Sequence, residues 1–312
     1  MFRFFAALFL LMLACSSKAH EVIDHLGNHV IVPESPQRIV SLQDWTLTVM
    51  AHELGAPLIA STGRVSPKGG LYIRGGSELF DMNFEKIDLA FIHGKPDLER
   101  VLALKPDLIL SPAGDYAQLY DNLTLIAPTL MVKTDAGIPM LKLYAEVAQW
   151  LNRQQRFDEL LQQYQRRVKK LREQLSSDDK TYVVILVNPR DGTIQVLRNY
   201  GVLTTVLNDL RMQPLPVASQ AFGNADRMTI SPELLESIDA DYVFTTWLPE
   251  KGENQQSIHQ DIETIAPGAL QFLKAARNQH LISLPRNEVF SPSFKGLDIM
   301  LNTMTSMIKP QQ

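Results

Sequence analysis

The chain has 312 residues, 45% of them hydrophobic and 21% charged, which is enough to bury two separate cores. With 30 basic and 34 acidic residues the formal charge is −4 and no basic block stands out, which argues against nucleic acid as a partner. The one cysteine, Cys15, excludes a disulfide framework and a cysteine metal site.

Residues 1–19 read as an export signal. Arg3 supplies the positive start, residues 4–13 an apolar run too short to span a bilayer, and Ser17-Lys18-Ala19 a small-x-small cleavage site. Removing Arg3 and Lys18 leaves 28 basic against 34 acidic residues, a charge of −6. The expected product is periplasmic and cleaved near Ala19. The alternative is a lipoprotein anchored at Cys15, because residues 11–17 also resemble a bacterial lipobox.

Three parts follow: a lobe over 20–140, a connecting helical region over 141–176, and a second lobe over 177–312. In the first, residues 22–32 read as a hairpin turning at Gly27-Asn28, 39–42 as a buried strand, 46–54 as a helix closed by Gly55, and 58–62 as a strand. Residues 65–87 form a long irregular loop with four glycines. A helix over 97–104 and a strand over 107–110 come next, with a polar turn over 111–115 at the strand's C-terminal end, the edge where open α/β sheets hold ligands.

The connecting region is the most regular stretch. Phe157, Leu160, Leu161, Tyr164, Val168, Leu171 and Leu175 recur at helical spacing, and no proline or glycine interrupts them. Leu141, Tyr144, Ala148 and Leu151 form an earlier stripe, with Asn152 as the break. Beyond it the pattern predicts strands over 181–187, 193–197, 242–246 and 280–284, and helices over 203–210, 231–238 and 296–308. The fold class is α/β, two lobes joined by a long stiff helix with a ligand groove between them. Residues 97–110 and 231–244 align at a constant offset, which places Glu99 on Glu233 in the first turn of each helix. Helix capping alone accounts for a carboxylate there.

Pro36-Gln37-Arg38-Ile39-Val40-Ser41-Leu42, Leu54-Gly55-Ala56-Pro57, residues 96–99, residues 103–109 and Ile126-Ala127-Pro128-Thr129 resemble the substrate-binding proteins of ATP-driven importers for ferric siderophores and cobalamin. The resemblance covers essentially the whole mature chain. It implies two lobes with small hinge motion and delivery of cargo to an inner-membrane permease, with Glu99 and Glu233 docking into arginine pockets there. The working expectation is a monomer with no cofactor, no metal ligands of its own and no catalytic residues.

A ferric chelate needs aromatic walls and a few cationic or phenolic donors. The first lobe offers Trp45, Arg64, Tyr72, Arg74, His93 and Tyr116; the second offers Arg190, Phe222, Arg227, Trp247 and Phe290, each expected in a loop near a strand end. His93 stands where hydroxamate-siderophore binders of this family place an arginine. A cluster of arginines favours citrate or a catecholate and aromatics alone favour cobalamin; the sequence holds both, so the expected cargo is a ferric siderophore, with haem, cobalamin or ferric citrate as the alternatives. Direct zinc or manganese capture lacks a histidine cluster. A chelatase-like or hydrolytic enzyme lacks any Gly-x-Ser-x-Gly, phosphate-loop or His-Glu-x-x-His motif.

Overall fold

A computed structural model describes residues 19–134, 137–175, 179–216 and 226–308. The leader with Cys15, and Phe222, lie outside the described residues. The fold opens on a hairpin, β1 (Ala19–Ile23) against β2 (His29–Pro33). Asp24 holds its turn, accepting from the backbone N–H of Leu26 and Asn28 at 2.9 Å and from that of Met131 at 3.0 Å. The last bond pins the hairpin to the first lobe.

That lobe is built on β3 (Ile39–Ser41), β4 (Leu58–Val65), β5 (Leu71–Tyr72), β6 (Asp88–Ile92), β7 (Leu108–Pro112) and β8 (Thr129–Val132). The parallel order is β6-β4-β3-β7-β8, and β5 folds back antiparallel on the end of β4. Around the sheet are α1 (Leu47–Glu53), α2 (Gly76–Phe80), α3 (Leu98–Ala103), α4 (Ala113–Tyr116) and α5 (Tyr120–Thr124). The irregular loop over 65–87 thus contains β5 and α2. The turn expected over 111–115 is instead the end of β7 followed by α4. Ser111, Pro112 and Ala113 are buried, so the backbone there is covered by sheet and helix bonds, as a buried segment requires.

Two helices connect the lobes, α6 (Met140–Trp150) and α7 (Gln154–Leu175). The break falls where asparagine stands: Asn152 takes φ of +53°, a conformation asparagine adopts more readily than most residues, and its side chain donates to the Glu34 carbonyl at 2.9 Å. Phe157, Leu160, Tyr164, Val168 and Leu171 are the buried stripe of α7.

The second lobe carries β9 (Thr181–Asn188), β10 (Thr193–Leu197), β11 (Gln213–Pro214), β12 (Arg227–Ile230), β13 (Tyr242–Trp247) and β14 (Leu281–Pro285), in the order β12-β10-β9-β13-β14 with β11 paired to the start of β9. Its helices are α8 (Gly201–Asp209), α9 (Gln255–Ile265), α10 (Ala269–Phe272), α11 (Lys274–Arg277), α12 (Arg286–Phe290) and α13 (Phe294–Ile308). The helix expected over 231–238 is a 3₁₀ segment, Pro232–Ile238, opened by its proline.

The internal repeat has a structural basis. Asp107 accepts from the backbone N–H of Gln37 and Arg38, at 2.6 and 2.9 Å, just ahead of β3. Asp241, its counterpart in the second lobe, accepts from the backbone N–H of Thr181 at 2.9 Å, at the first residue of β9. Each aspartate thus ties the start of its strand to the start of a central neighbour. The Lys274 ammonium and the Thr181 donors hold the Asp241 carboxyl down at about 2.

One hydrophobic cluster runs through both lobes. It links Leu47, Met50 and Leu108 of the first lobe to Tyr144, Phe157 and Val168 of the connecting helices and to Leu203, Val206 and Leu297 of the second. A polar clasp reinforces this join. Glu53, the last residue of α1, accepts from the Tyr144 hydroxyl at 2.5 Å and from the backbone N–H of Phe294 and Lys295 at 2.7 and 2.8 Å. A first-lobe carboxylate thereby caps the N-terminus of the closing helix α13. A wide hinge rotation would have to break this clasp and expose shared core, so the fold favours small movements.

Candidate functional site

The lobes meet at an aromatic seam formed by residues that follow strand ends. Trp45 comes four residues after β3, and Phe290 closes α12, the short helix that follows β14. Their rings lie 4.6 Å apart across the lobe boundary. Tyr200 packs edge-on against Phe290 at 4.9 Å, and its hydroxyl shares a 2.7 Å hydrogen bond with Thr246 near the end of β13. Glycine is needed beside it: a Cβ on Gly201, at φ +51°, would stand 2.1 Å from the Phe290 carbonyl oxygen.

Two arginines flank the seam, one from each lobe. The Arg74 guanidinium carbon lies 4.8 Å from the Trp45 ring centroid; that of Arg286 lies 5.6 Å from Phe290 and 6.0 Å from Tyr200. Neither is ion-paired among the described residues, and the Nε of each is buried without a hydrogen-bond partner. Both side chains are half-buried, and Arg74 also hydrogen-bonds the Tyr72 phenol. A buried Nε–H without an acceptor is costly, and a ligand bringing anionic oxygens would relieve that cost. Arg64 differs. It grips the fully buried Asp44 carboxylate at 2.8 Å, so its charge is already neutralised.

The first lobe also presents a polar cluster near Arg64 and Arg74. The Tyr116 hydroxyl accepts from the Gly94 N–H at 3.1 Å, and the ring lies 6.5 Å from His93. Burial, with Arg64 nearby, pushes the His93 imidazole below its ordinary 6.5, so it is mainly neutral at pH 7. Its Nδ1 and the hydroxyls of Thr62 and Ser111 are buried and unpartnered among the described residues. Burial raises the Tyr72 phenol, partly offset by Arg74, and the Tyr116 phenol is raised by burial too, so both remain donors at neutral pH.

Of the expected groove residues, the structure joins Trp45, Arg74 and Phe290 directly, with Tyr72 beside Arg74. Arg64, His93 and Tyr116 lie near one another in the first lobe. Arg190 is exposed in the turn between β9 and β10. Two of the expected loop positions are strand positions: Arg227 is exposed at the start of β12, and Trp247 ends β13, half-buried against the second-lobe core. Glu99 and Glu233 are both exposed in the first turns of α3 and the 3₁₀ segment. Tyr200, Arg286 and Asp44 carry no motif and were not among the sequence candidates. The signal for Arg286 is its place directly after β14, at the C-terminal strand edge where such sheets bind ligands. No group of three or more His, Cys, Asp or Glu residues able to hold a metal occurs among the described residues.

The family model described as periplasmic binding protein matches residues 92–288, more than half of the chain. The chain belongs to this family. Among curated relatives, a probable siderophore-binding lipoprotein, YfiY of Bacillus subtilis, is 26% identical over 238 residues, covering 73% of this chain and 69% of that protein. The ferric enterobactin-binding periplasmic protein FepB of Escherichia coli is 39% identical over 123 residues, 37% of each chain. The structure of Staphylococcus aureus SirA complexed with staphyloferrin B superposes with a TM-score of 0.73 at 18% identity, over 93% of this chain and 98% of that one. The family and these neighbours are binding proteins, and the two-lobed fold is theirs.

Proposed function

We propose that this protein captures an anionic ferric chelate, a siderophore, at the seam between its lobes and passes it to an ABC importer. The observation that carries the reading is the pair of arginines without a carboxylate partner among the described residues, Arg74 and Arg286, set on opposite lobes against one aromatic seam. Tyr72, His93 and Tyr116 add neutral donors, and Trp45, Tyr200 and Phe290 supply apolar wall. The chelate keeps its own iron ligands, and the protein holds its organic rim and outer oxygens. The names of the relatives, which include siderophore and ferric enterobactin binders, support the same cargo class. Exposed Glu99 and Glu233 are the proposed docking points on the permease, and rim charges of this kind set orientation more than affinity. The chain acts in the periplasm as a monomer, freed by cleavage near Ala19 or held by lipid at Cys15, and no catalytic step is assigned to it.

Tryptophan fluorescence tests the reading. Of the three tryptophans, Trp150 is buried against His25 and Trp247 packs on the second core, which leaves Trp45 at the seam. Saturable quenching by ferric enterobactin, ferric staphyloferrin B or ferric citrate, weaker with each iron-free form and lost in Trp45→Phe, is the expected result. Tight binding only of haem, cobalamin or cationic ferrioxamine B would refute the anionic-chelate assignment.

A further inference from the structure

The segment from Pro285 to Lys295 touches the first lobe at every turn. Phe290 meets Trp45, the Phe294 and Lys295 amides meet Glu53, and an ideal Cβ on Gly75 would stand 2.2 Å from the Ser291 hydroxyl. The remaining contact is made by Asn287, which is 1% exposed. Its Nδ2 donates to Glu78 Oε1 of the first lobe at 2.7 Å and to Glu250 Oε2 of the second at 3.2 Å. An amide nitrogen carries two hydrogens, so one side chain serves both carboxylates. Without it, two like charges would face each other across the lobe boundary.

The same bridge reaches both ligand-facing arginines. Glu78 uses its other oxygen, Oε2, to accept from the Gly75 N–H at 2.8 Å, fixing the residue that follows Arg74. Gly75 holds φ +73°, a conformation that suits glycine, so the chain direction at Arg74 depends on this anchor. On the opposite lobe, Asn287 directly follows Arg286 and lies three residues before Phe290 on α12. A continuous path thus runs from Arg74 through Gly75, Glu78 and Asn287 to Arg286.

We propose that Asn287 and Glu78 form an inter-lobe positioning pair that sets the spacing of Arg74 and Arg286 across the groove, with Glu250 held in place by the same amide. Neither member needs to touch the cargo. The pair selects among chelates by fixing how far apart two guanidinium groups stand. The assignment of the arginines to an anionic chelate rests on the function proposed above; the lobe geometry does not.

The test places spin labels at Glu85→Cys and Gln256→Cys, exposed positions on opposite lobes, in a Cys15→Ser chain, and measures their separation by pulsed electron paramagnetic resonance without ligand. Asn287→Leu should widen or shift the distance distribution, and Asn287→Asp, which adds a third carboxylate, should do so further. Adding Glu250→Gln to Asn287→Leu should restore the narrow distribution, because it removes the repulsion; lost packing would not be repaired this way. In parallel, the dissociation rate of ferric enterobactin should rise by roughly tenfold in Asn287→Leu and fall back in the double variant. Unchanged distributions in both Asn287→Leu and Asn287→Asp would overturn the proposal whatever the chelate does. A shift reversed by Glu250→Gln supports it even if the wild type binds no ferric chelate, a result that would count against the siderophore reading alone.

Discussion

Replacing Arg286 with leucine should weaken binding of an anionic ferric chelate by about thirtyfold or more, and Arg74→Leu should do the same. Truncating one partner of a desolvated charge pair costs about 2 kcal/mol or more, and every 1.4 kcal/mol is about tenfold in affinity. The lower end applies here because the seam opens to solvent. The loss should appear mainly as faster release, since contacts made after encounter govern dissociation. Arg286→Lys should recover only part of the loss, because an ammonium can neither stack flat on Tyr200 and Phe290 nor present a fork of donors. Arg64→Leu should act differently: it strands the fully buried Asp44 carboxylate, so reduced stability should accompany any loss of affinity. Calorimetric titration of the four variants, with thermal melts beside them, separates these outcomes.

Glu53→Leu should be the most destabilising single change in the lobe join, costing about 3 kcal/mol. It leaves the fully buried Tyr144 hydroxyl and two helix N–H groups without their acceptor, at about 1–3 kcal/mol for each buried group and less for those that regain water. Relief from burying a carboxylate offsets part of that. For a chain of this size the melting temperature should fall by about 5 °C or more. The pH dependence has a definite sign. Burial pushes the Glu53 carboxyl above its ordinary 4.5, although its hydrogen bonds pull the other way. The folded state therefore keeps the proton to higher pH than the unfolded chain does. The stability linked to this proton is fully present below about pH 4.5 and is lost as pH rises through the elevated value. Thermal melts across pH 4–8 should show that decline in the wild type and a flatter profile in Glu53→Gln.

The connecting helices were legible because their signal is long and local. The stripe from Phe157 to Leu171 needs only helical periodicity, and Asn152 marks its break with a backbone angle few residues tolerate. Strands β6 and β8 were not read from the sequence; in runs of four or five residues periodicity does not tell strand from buried helix, and length alone does not explain the miss, since β3 is shorter and was expected over 39–42. The turn expected over 111–115 failed for a related reason. Serine and glycine suggest exposure, yet β7 carries Ser111 into the core before α4 begins. At the site, Trp45 and Phe290 were visible as aromatics near strand ends, and Arg74 as a cation in the irregular loop over 65–87. Asn287 and Glu78 were not, because 209 positions separate them and only the closure of one lobe on the other brings them together. Arg64 was read as a free donor, since nothing in the sequence ties it to Asp44, which lies 20 positions earlier.

The most direct test of the account is iron-edge anomalous diffraction from crystals of the protein grown with whichever ferric chelate titrates most tightly. The account predicts a single iron peak between the lobes, walled by Trp45 and Phe290, with the Arg74 and Arg286 guanidinium groups on chelate oxygens and no protein atom bonded to the metal. An iron peak outside the seam, or one ligated by protein side chains, would contradict it.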